Sequence, residues 1–226
     1  MSAVLGLIPA RGGSKGLPGK NLRRLDGASL VELTHRAALA SEALDRVILS
    51  TDDEAIAEAG RAAGVEVPFM RPADLAGDAA PMLAVVQHAI TALEAELEIG
   101  WVVILQPTSP LRRPEDVRGA VELARSSGAD SVVGVVELPL DVSPDYVMRV
   151  DDGRLVPFLE RGADLTRRQE ARPAYKRDGT VYVVRRDVAV GGSLYGDDCR
   201  PYLVDSEASL SIDTAADWRE AERRLA

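Results

Sequence analysis

Apolar positions along the first 137 residues switch between short continuous runs and helical spacing, which predicts strands alternating with helices. Leu5-Gly-Leu-Ile-Pro9, Arg46-Val-Ile-Leu-Ser50, Trp101-Val-Val-Ile-Leu105 and Asp130-Ser-Val-Val-Gly-Val-Val136 are the runs, and they read as strands buried on both faces. Ser29-Leu-Val-Glu32 has capping-box spacing, with apolar residues at 30, 33, 37 and 38 behind it. Thr51-Asp-Asp-Glu54 offers a second box for a helix through about Ala63, and Gly64 ends it. Val65-Glu-Val-Pro-Phe69 reads as a short strand, residues 80–97 as a helix, and Pro114-Glu-Asp as a helix start. Such alternation implies a three-layer α/β/α sandwich around a mostly parallel, Rossmann-like sheet with right-handed crossovers.

The pattern loosens from about 138 to 175, where Pro139, Pro144, Pro157 and Pro173 separate short β-like pieces. This stretch is expected to be an arm inserted in a single domain spanning 1–226. Its scattered apolar residues are too few for a core of their own, so it is expected to pack across a homodimer. Thr180-Val-Tyr-Val-Val184 returns to the sheet, and the chain finishes with Leu210-Ser-Ile-Asp-Thr214 and a helix from Ala215 to Arg224.

Composition narrows the function. With 27 basic and 36 acidic residues the net charge is −9, which argues against nonspecific binding to nucleic acid or an anionic membrane. No apolar run approaches the roughly 20 residues that span a bilayer, and a basic signal-peptide head is missing, so a cytoplasmic location is expected. Cys199 is the sole cysteine, and His35 and His88 both fall inside helical patterns. Neither thiol nor imidazole chemistry has a partner in the pattern.

Positive charge is concentrated instead in Arg11-Gly12-Gly13-Ser14-Lys15-Gly16-Leu17-Pro18-Gly19-Lys20-Asn21, directly after the first strand. The four glycines permit positive φ and close approach, and Arg11, Lys15 and Lys20 supply cations, as a nest for a polyanion requires. A solvated surface loop is the plain alternative. It is not a Walker A loop: Gly19-Lys20 would need glycine at 14 and Ser or Thr at 21, where the chain has Ser14 and Asn21. Nor can a G-x-G-x-x-G be laid over it.

The string Ile8-Pro-Ala-Arg-Gly-Gly-Ser-Lys-Gly-Leu-Pro-Gly-Lys-Asn21 resembles the signature loop of the acylneuraminate cytidylyltransferases, the CMP-sialic acid synthetases and their nonulosonate relatives. The likeness continues in order through Ser50-Thr-Asp-Asp53, Arg71-Pro-x-x-Leu-Ala-x-Asp78, Leu105-Gln-Pro-Thr-Ser-Pro-Leu-Arg112, Arg168-Gln169, Asp178-Gly-x-x-Tyr182 and Ser211-Ile-Asp-Thr214. The resemblance implies a homodimeric, magnesium-dependent enzyme that joins CTP to an α-keto sugar acid and releases pyrophosphate.

By the same resemblance, Arg11, Gly12, Gly13, Ser14 and Lys20 would meet the triphosphate, and Asn21 and Arg71 would recognise the nucleotide. Gln106 would contact the acceptor sugar, Asp213 would hold magnesium, and Arg168 would reach the sugar carboxylate across the dimer. Arg11, Lys20 and Asp213 are then the catalytic set, acting by placement and charge neutralisation without a protein nucleophile. Each has a structural alternative: Gln106 a water-facing turn residue, Arg168 a surface arginine, and Asp213 the N-cap of the last helix.

Three departures bear on the substrate. Ser211 stands where many members carry a second acid, Met82 where a serine near the base is common, and Val142-Ser143 where a His-His pair is common. The acceptor is therefore open among N-acetylneuraminate, legionaminate and other nonulosonates. A 3-deoxy-manno-octulosonate cytidylyltransferase and a nucleotide-binding homologue without turnover are the alternative functions.

Overall fold

A computed structural model describes residues 2–13 and 16–225, so Ser14 and Lys15 lie outside the described residues. The first strand, β1 (Ala3–Pro9), shows why its sequence is apolar at every position. Val4 and Ile8 belong to one hydrophobic cluster and Leu5 and Leu7 to another, so the strand is sandwiched on both faces.

Beyond the basic loop, the two-residue strands β2 (Arg24–Leu25) and β3 (Ala28–Ser29) pair around Gly27, whose φ is 76°. They lead into α1 (Leu30–Ala40), where Ser29 Oγ accepts from Glu32 N at 3.1 Å as the capping box predicts. After β4 (Arg46–Ser50) comes α2 (Glu54–Ala62), which is capped two residues later than expected. The acceptor for Ile56 N is Asp53 Oδ1, while Thr51 Oγ1 accepts from Asp53 N. An aspartate three residues before the free donor outcompetes the threonine for the cap.

The strand expected at 65–69 is reduced to isolated bridges, Ile48 with Glu66 and Thr51 with Met70. Pro68 lacks the N–H that a continuous ladder would need there. The expected 80–97 helix is shorter, α3 (Met82–Leu93). It is followed by β5 (Ile99–Ile104) and by α4 (Pro114–Ser127), with proline in its first turn and Gly128 left-handed at its end. Next come β6 (Ser131–Glu137), the hairpin β7 (Met148–Asp151) and β8 (Arg154–Pro157), and β9 (Tyr175–Arg185). The chain ends with α5 (Arg186–Val190), β10 (Cys199–Leu203) and α6 (Ala215–Leu225).

Six strands form one sheet in the order β10-β6-β9-β5-β1-β4. β1 runs parallel to β4 and β5, whereas β9 pairs antiparallel with β5, Val103 opposite Val183. One face packs on α1, α2 and α4 through residues such as Val31, Ile56 and Val121. The other packs on α3 and α5 through Val86, Ile90 and Ala189. These are the three layers expected of an α/β/α sandwich. Neither α5 nor β10 was expected; β10 contains Pro201 and lies at the sheet edge, where a missing donor is tolerated.

A third, smaller cluster matters more for function. Leu17, Leu25, Leu30, Ile212, Trp218 and Ala221 are buried together, joining the basic loop to the segment that enters α6. Arg23 adds its guanidinium over the Trp218 ring at 4.9 Å.

Two compact units divide the chain: residues 1–134 with 178–226, and residues 135–177. Within the second, Asp145 is the organiser. Its carboxylate accepts from Arg172 N (3.1 Å), Nε (2.8 Å) and Nη2 (2.7 Å), and its own N–H reaches Ser143 Oγ. Those hydrogen bonds and the Arg172 charge hold the Asp145 carboxyl well below the usual aspartate range. The hairpin exposes Met148, Val150 and Leu155, and Phe158 follows it.

A depressed carboxyl contributes stability that is complete above the unfolded value of about 3.9 and is lost only as the pH falls through the lower folded value. Asp145→Ala should therefore loosen the second unit at neutral pH while sparing the sheet. Hydrogen exchange should show faster amides confined to residues 139–172; unchanged exchange there would contradict the assignment.

Candidate active site

The basic loop is held from three sides. Asn21 Nδ2 donates to the Arg11 carbonyl at 3.0 Å, closing the loop across its base. Gly12 N donates to Asp52 Oδ1 at 3.1 Å, which ties the loop to the start of α2. Lys20 Nζ donates to the Ile212 carbonyl at 2.7 Å and to Asp213 Oδ1 at 3.0 Å, fastening the far side to the strand-like segment before α6.

The glycines serve closeness more than unusual dihedrals. Among Gly12, Gly13, Gly16 and Gly19 only Gly19 has positive φ, 66°. A Cβ on Gly16 would collide with the Asp213 carbonyl oxygen, and one on Gly12 would lie 2.6 Å from Asp53 Oδ2. Gly13 meets nothing within 4 Å. Gly16 is thus where the loop backbone lies directly on the Asp213 backbone.

Asp213 is released from the capping role that its position suggests. The start of α6 is satisfied by Thr214 and Asp217: Asp217 Oδ2 accepts from Asp213 N and Thr214 N, and Thr214 Oγ1 accepts from Asp217 N. This is a capping box shifted by one residue. The Asp213 carboxylate, 68% exposed, is left facing Lys20, with Ser211 Oγ donating to its Oδ2 at 3.1 Å.

Gln106 follows β5 at the carboxyl end of the sheet, where open α/β sheets place their ligands. Its turn is joined to the Asp213 segment by Ile212 N donating to the Thr108 carbonyl at 2.8 Å. Arg71 is buried beside β4, its Nε donating to Ser50 Oγ at 3.0 Å. Burial pushes its guanidinium down from the ordinary arginine value, with Asp52 opposing and Arg11 reinforcing the shift.

One cavity of about 350 Å³ collects these groups: Arg11, Lys20, Asn21, Arg71, Gln106 and Asp213 line it, with Gly16, Asp78, Met82 and Thr108. Gly12 and Gly13 stand outside that lining, and Arg168 lies in the second unit, in a short 3-10 turn at Arg168–Glu170. A larger groove of about 760 Å³, between Pro110–Arg113, Ser206–Ala208 and Arg223–Leu225, contains none of the expected site residues. Three of its arginines are already paired: Arg113 with Asp205, and Arg223 and Arg224 with Glu220.

Sequence reasoning gave no role to Asp78, although it closes the Arg71-to-Asp78 motif. Its Oδ1 lies 2.8 Å from Arg11 Nη1, so the two loop cations among the described residues are engaged by carboxylates of the cavity wall, Arg11 by Asp78 and Lys20 by Asp213. Such partly exposed pairs are weak, and a polyanion can replace the carboxylates at small cost. His35 and His88 are packing residues as expected: burial lowers both, and His88 meets Phe69 edge-on at 4.7 Å between centroids.

A cation-lined cavity at the carboxyl edge of a three-layer sheet is suited to an anionic ligand. Across 99% of the chain the structure resembles that of CMP:2-keto-3-deoxy-manno-octonic acid synthetase complexed with CTP, with a TM-score of 0.76 and 22% identity, covering 98% of that chain. A family model described as cytidylyltransferase matches residues 5–200. The protein belongs to this family and is a nucleotidyltransferase.

Among its relatives is the CMP-N,N'-diacetyllegionaminic acid synthase of Legionella pneumophila, 36% identical over 225 residues, covering 98% of this chain and 96% of that one. N-acylneuraminate cytidylyltransferase A of Danio rerio is 32% identical over 222 residues, covering 98% of this chain but only 50% of the fish protein. Among the described residues no helix is long and apolar enough to cross a membrane.

The close backing of Gly16 on Asp213 gives a direct check. In Gly16→Ala the Cβ meets a backbone atom that cannot swing away, so the loop should shift and cost about 1–3 kcal/mol of stability. Calorimetric titration with CTP should show at least about tenfold weaker binding. Gly13→Ala, with open space around it, should melt where the wild type does. Equal melting temperatures for the two variants would contradict the described seam.

Proposed function

We propose that this chain is a CTP-dependent cytidylyltransferase for a nonulosonic acid, releasing pyrophosphate and forming a CMP-sugar. The observation that carries the reading is the cavity lined together by Arg11, Lys20, Asn21, Arg71, Gln106 and the exposed carboxylate of Asp213. The full-length similarity to the legionaminate-type synthase supports a nonulosonate acceptor.

The anomeric hydroxyl of the acid attacks the α-phosphate in line and gives up its proton to water; the bond from the α-phosphorus to the bridging oxygen breaks and pyrophosphate leaves with the electron pair. Arg11 and Lys20 exchange Asp78 and Asp213 for phosphate oxygens and neutralise charge as it accumulates on the departing group. Gln106 holds the acceptor through its amide, and no covalent enzyme intermediate forms.

Asp213 also suits a magnesium ion, because its carboxylate is free of capping and opens into the cavity. No group of three or more His, Cys, Asp or Glu residues that could hold a metal occurs among the described residues. One carboxylate completed by substrate phosphates and water is the manner in which magnesium is commonly held. Magnesium would supply charge stabilisation at the phosphates.

The 135–177 unit serves as the dimer contact in this reading, its exposed Met148, Val150, Leu155 and Phe158 forming an apolar surface that a second copy would cover. Arg168 reaches the acceptor carboxylate of the neighbouring copy.

Pyrophosphate release from CTP should be fastest with N,N'-diacetyllegionaminate or a close nonulosonate in a panel that also contains N-acetylneuraminate and 3-deoxy-manno-octulosonate. Asp213→Ala should lower kcat by at least about a hundredfold while melting normally. Release with 3-deoxy-manno-octulosonate alone, or with no acid, would overturn the reading.

A further inference from the structure

The turn that carries Gln106 is built around a buried cation that touches no substrate-facing surface. Arg112, 6% exposed, donates through Nε to the Thr180 carbonyl at 2.6 Å and through Nη2 to the carbonyls of Gln106 at 2.6 Å and Gly179 at 3.2 Å. The Gln106 carbonyl also accepts from Ser109 N at 3.2 Å. Burial pushes the Arg112 guanidinium down to about 9, with Asp178 and Asp116 opposing, so it remains cationic at neutral pH. A rigid planar fork is what lets one side chain bind carbonyls from two separate segments.

Gly179 completes the frame from the other side. A Cβ there would lie 3.0 Å from Gln106 Oε1 and 2.8 Å from Ser109 Oγ, so the bare backbone of β9 forms a wall against the Gln106 amide. The strand itself is anchored at this point: Asp178 Oδ1 accepts from Thr180 N at 2.8 Å, and Asp178 Oδ2 accepts from Ser209 Oγ. Ser109 Oγ, Arg112 Nη1 and Thr180 Oγ1 are buried without a partner among the described residues. Unsatisfied polar atoms concentrated at one junction mark a frame shaped for something other than stability alone.

We propose that Gly179 and Arg112 are positioning residues that fix the Gln106 amide and thereby set affinity for the acid acceptor. This rests on the reading of Gln106 as the acceptor contact. A glutamine has three side-chain torsions to lose on binding, and a wall at one side with a clamp at its backbone removes part of that freedom beforehand. Arg112 and Gly179 do not line the nucleotide cavity, so their influence falls on the acceptor and leaves the triphosphate contacts alone.

The test is steady-state kinetics of the full chain with CTP and N,N'-diacetyllegionaminate, for the wild type, Gly179→Ala, Gln106→Ala and the double variant. Gly179→Ala should raise KM for the acid at least about tenfold and leave KM for CTP within about twofold. In the Gln106→Ala background the added Gly179→Ala change should cost less than about twofold, because both act through one amide. Arg112→Lys keeps the charge without the fork and should reproduce the acid-specific rise.

The same series in a Ser109→Ala background removes the other atom that the new Cβ would meet, so a folded Gly179→Ala chain remains available. If the two substitutions multiply, or both KM values rise together, the frame is merely structural and the proposal fails. A Gly179→Ala chain that does not fold even beside Ser109→Ala also overturns it. If Gln106→Ala leaves KM for the acid unchanged, the fault lies with the acceptor reading of Gln106, and the proposal falls with that reading.

Discussion

The arrangement of this protein depends on a seam between two stretches nearly 200 residues apart in sequence. Lys20 Nζ reaches the Ile212 carbonyl and the Asp213 carboxylate, Gly16 lies on the Asp213 backbone, and Leu17 is buried with Ile212 and Trp218. The apolar part supplies most of the free energy; a side chain such as Leu17 contributes about 1.5–3 kcal/mol on full burial. The polar part supplies direction. Without the seam, the basic loop would be an ordinary flexible connection between β1 and α1.

Two of the cations that line the cavity are paired at rest. Arg11 and Lys20 are each satisfied by a wall carboxylate, Asp78 and Asp213. A loop of bare cations would repel itself and fray, whereas a loop held by weak, replaceable pairs keeps its shape until a stronger anion arrives. Pre-organisation of this kind lowers the ordering cost of binding. Because Asp217 and Thr214 take over the capping of α6, Asp213 can leave Lys20 without unravelling the helix.

Much of this was legible in the sequence. Runs of apolar residues without alternation could only be strands covered on both faces, and β1, β4, β5 and β6 follow them closely. Arg11, Lys20, Asn21, Arg71, Gln106 and Asp213 were singled out by motif and line one cavity, whereas Gly12, Gly13 and Arg168, singled out in the same way, do not. What escaped was tertiary. No local pattern tells that Asp53 displaces Thr51 as a cap, that Asp217 frees Asp213, or that Arg112 threads between two segments. The edge strand β10 carries an ordinary polar alternation with a proline, and α5 is only five residues long, so neither rises above the background of a loop.

The central claim is that affinity resides in the phosphates, gripped by Arg11 and Lys20, whose loop is fastened to the Asp213 segment before the ligand arrives. Calorimetric titration of the same protein with cytidine, CMP, CDP and CTP measures this directly. The account predicts a stepwise rise, with CTP at least about a hundredfold tighter than cytidine, as two charge-assisted contacts require. Equal affinities along the series would contradict it.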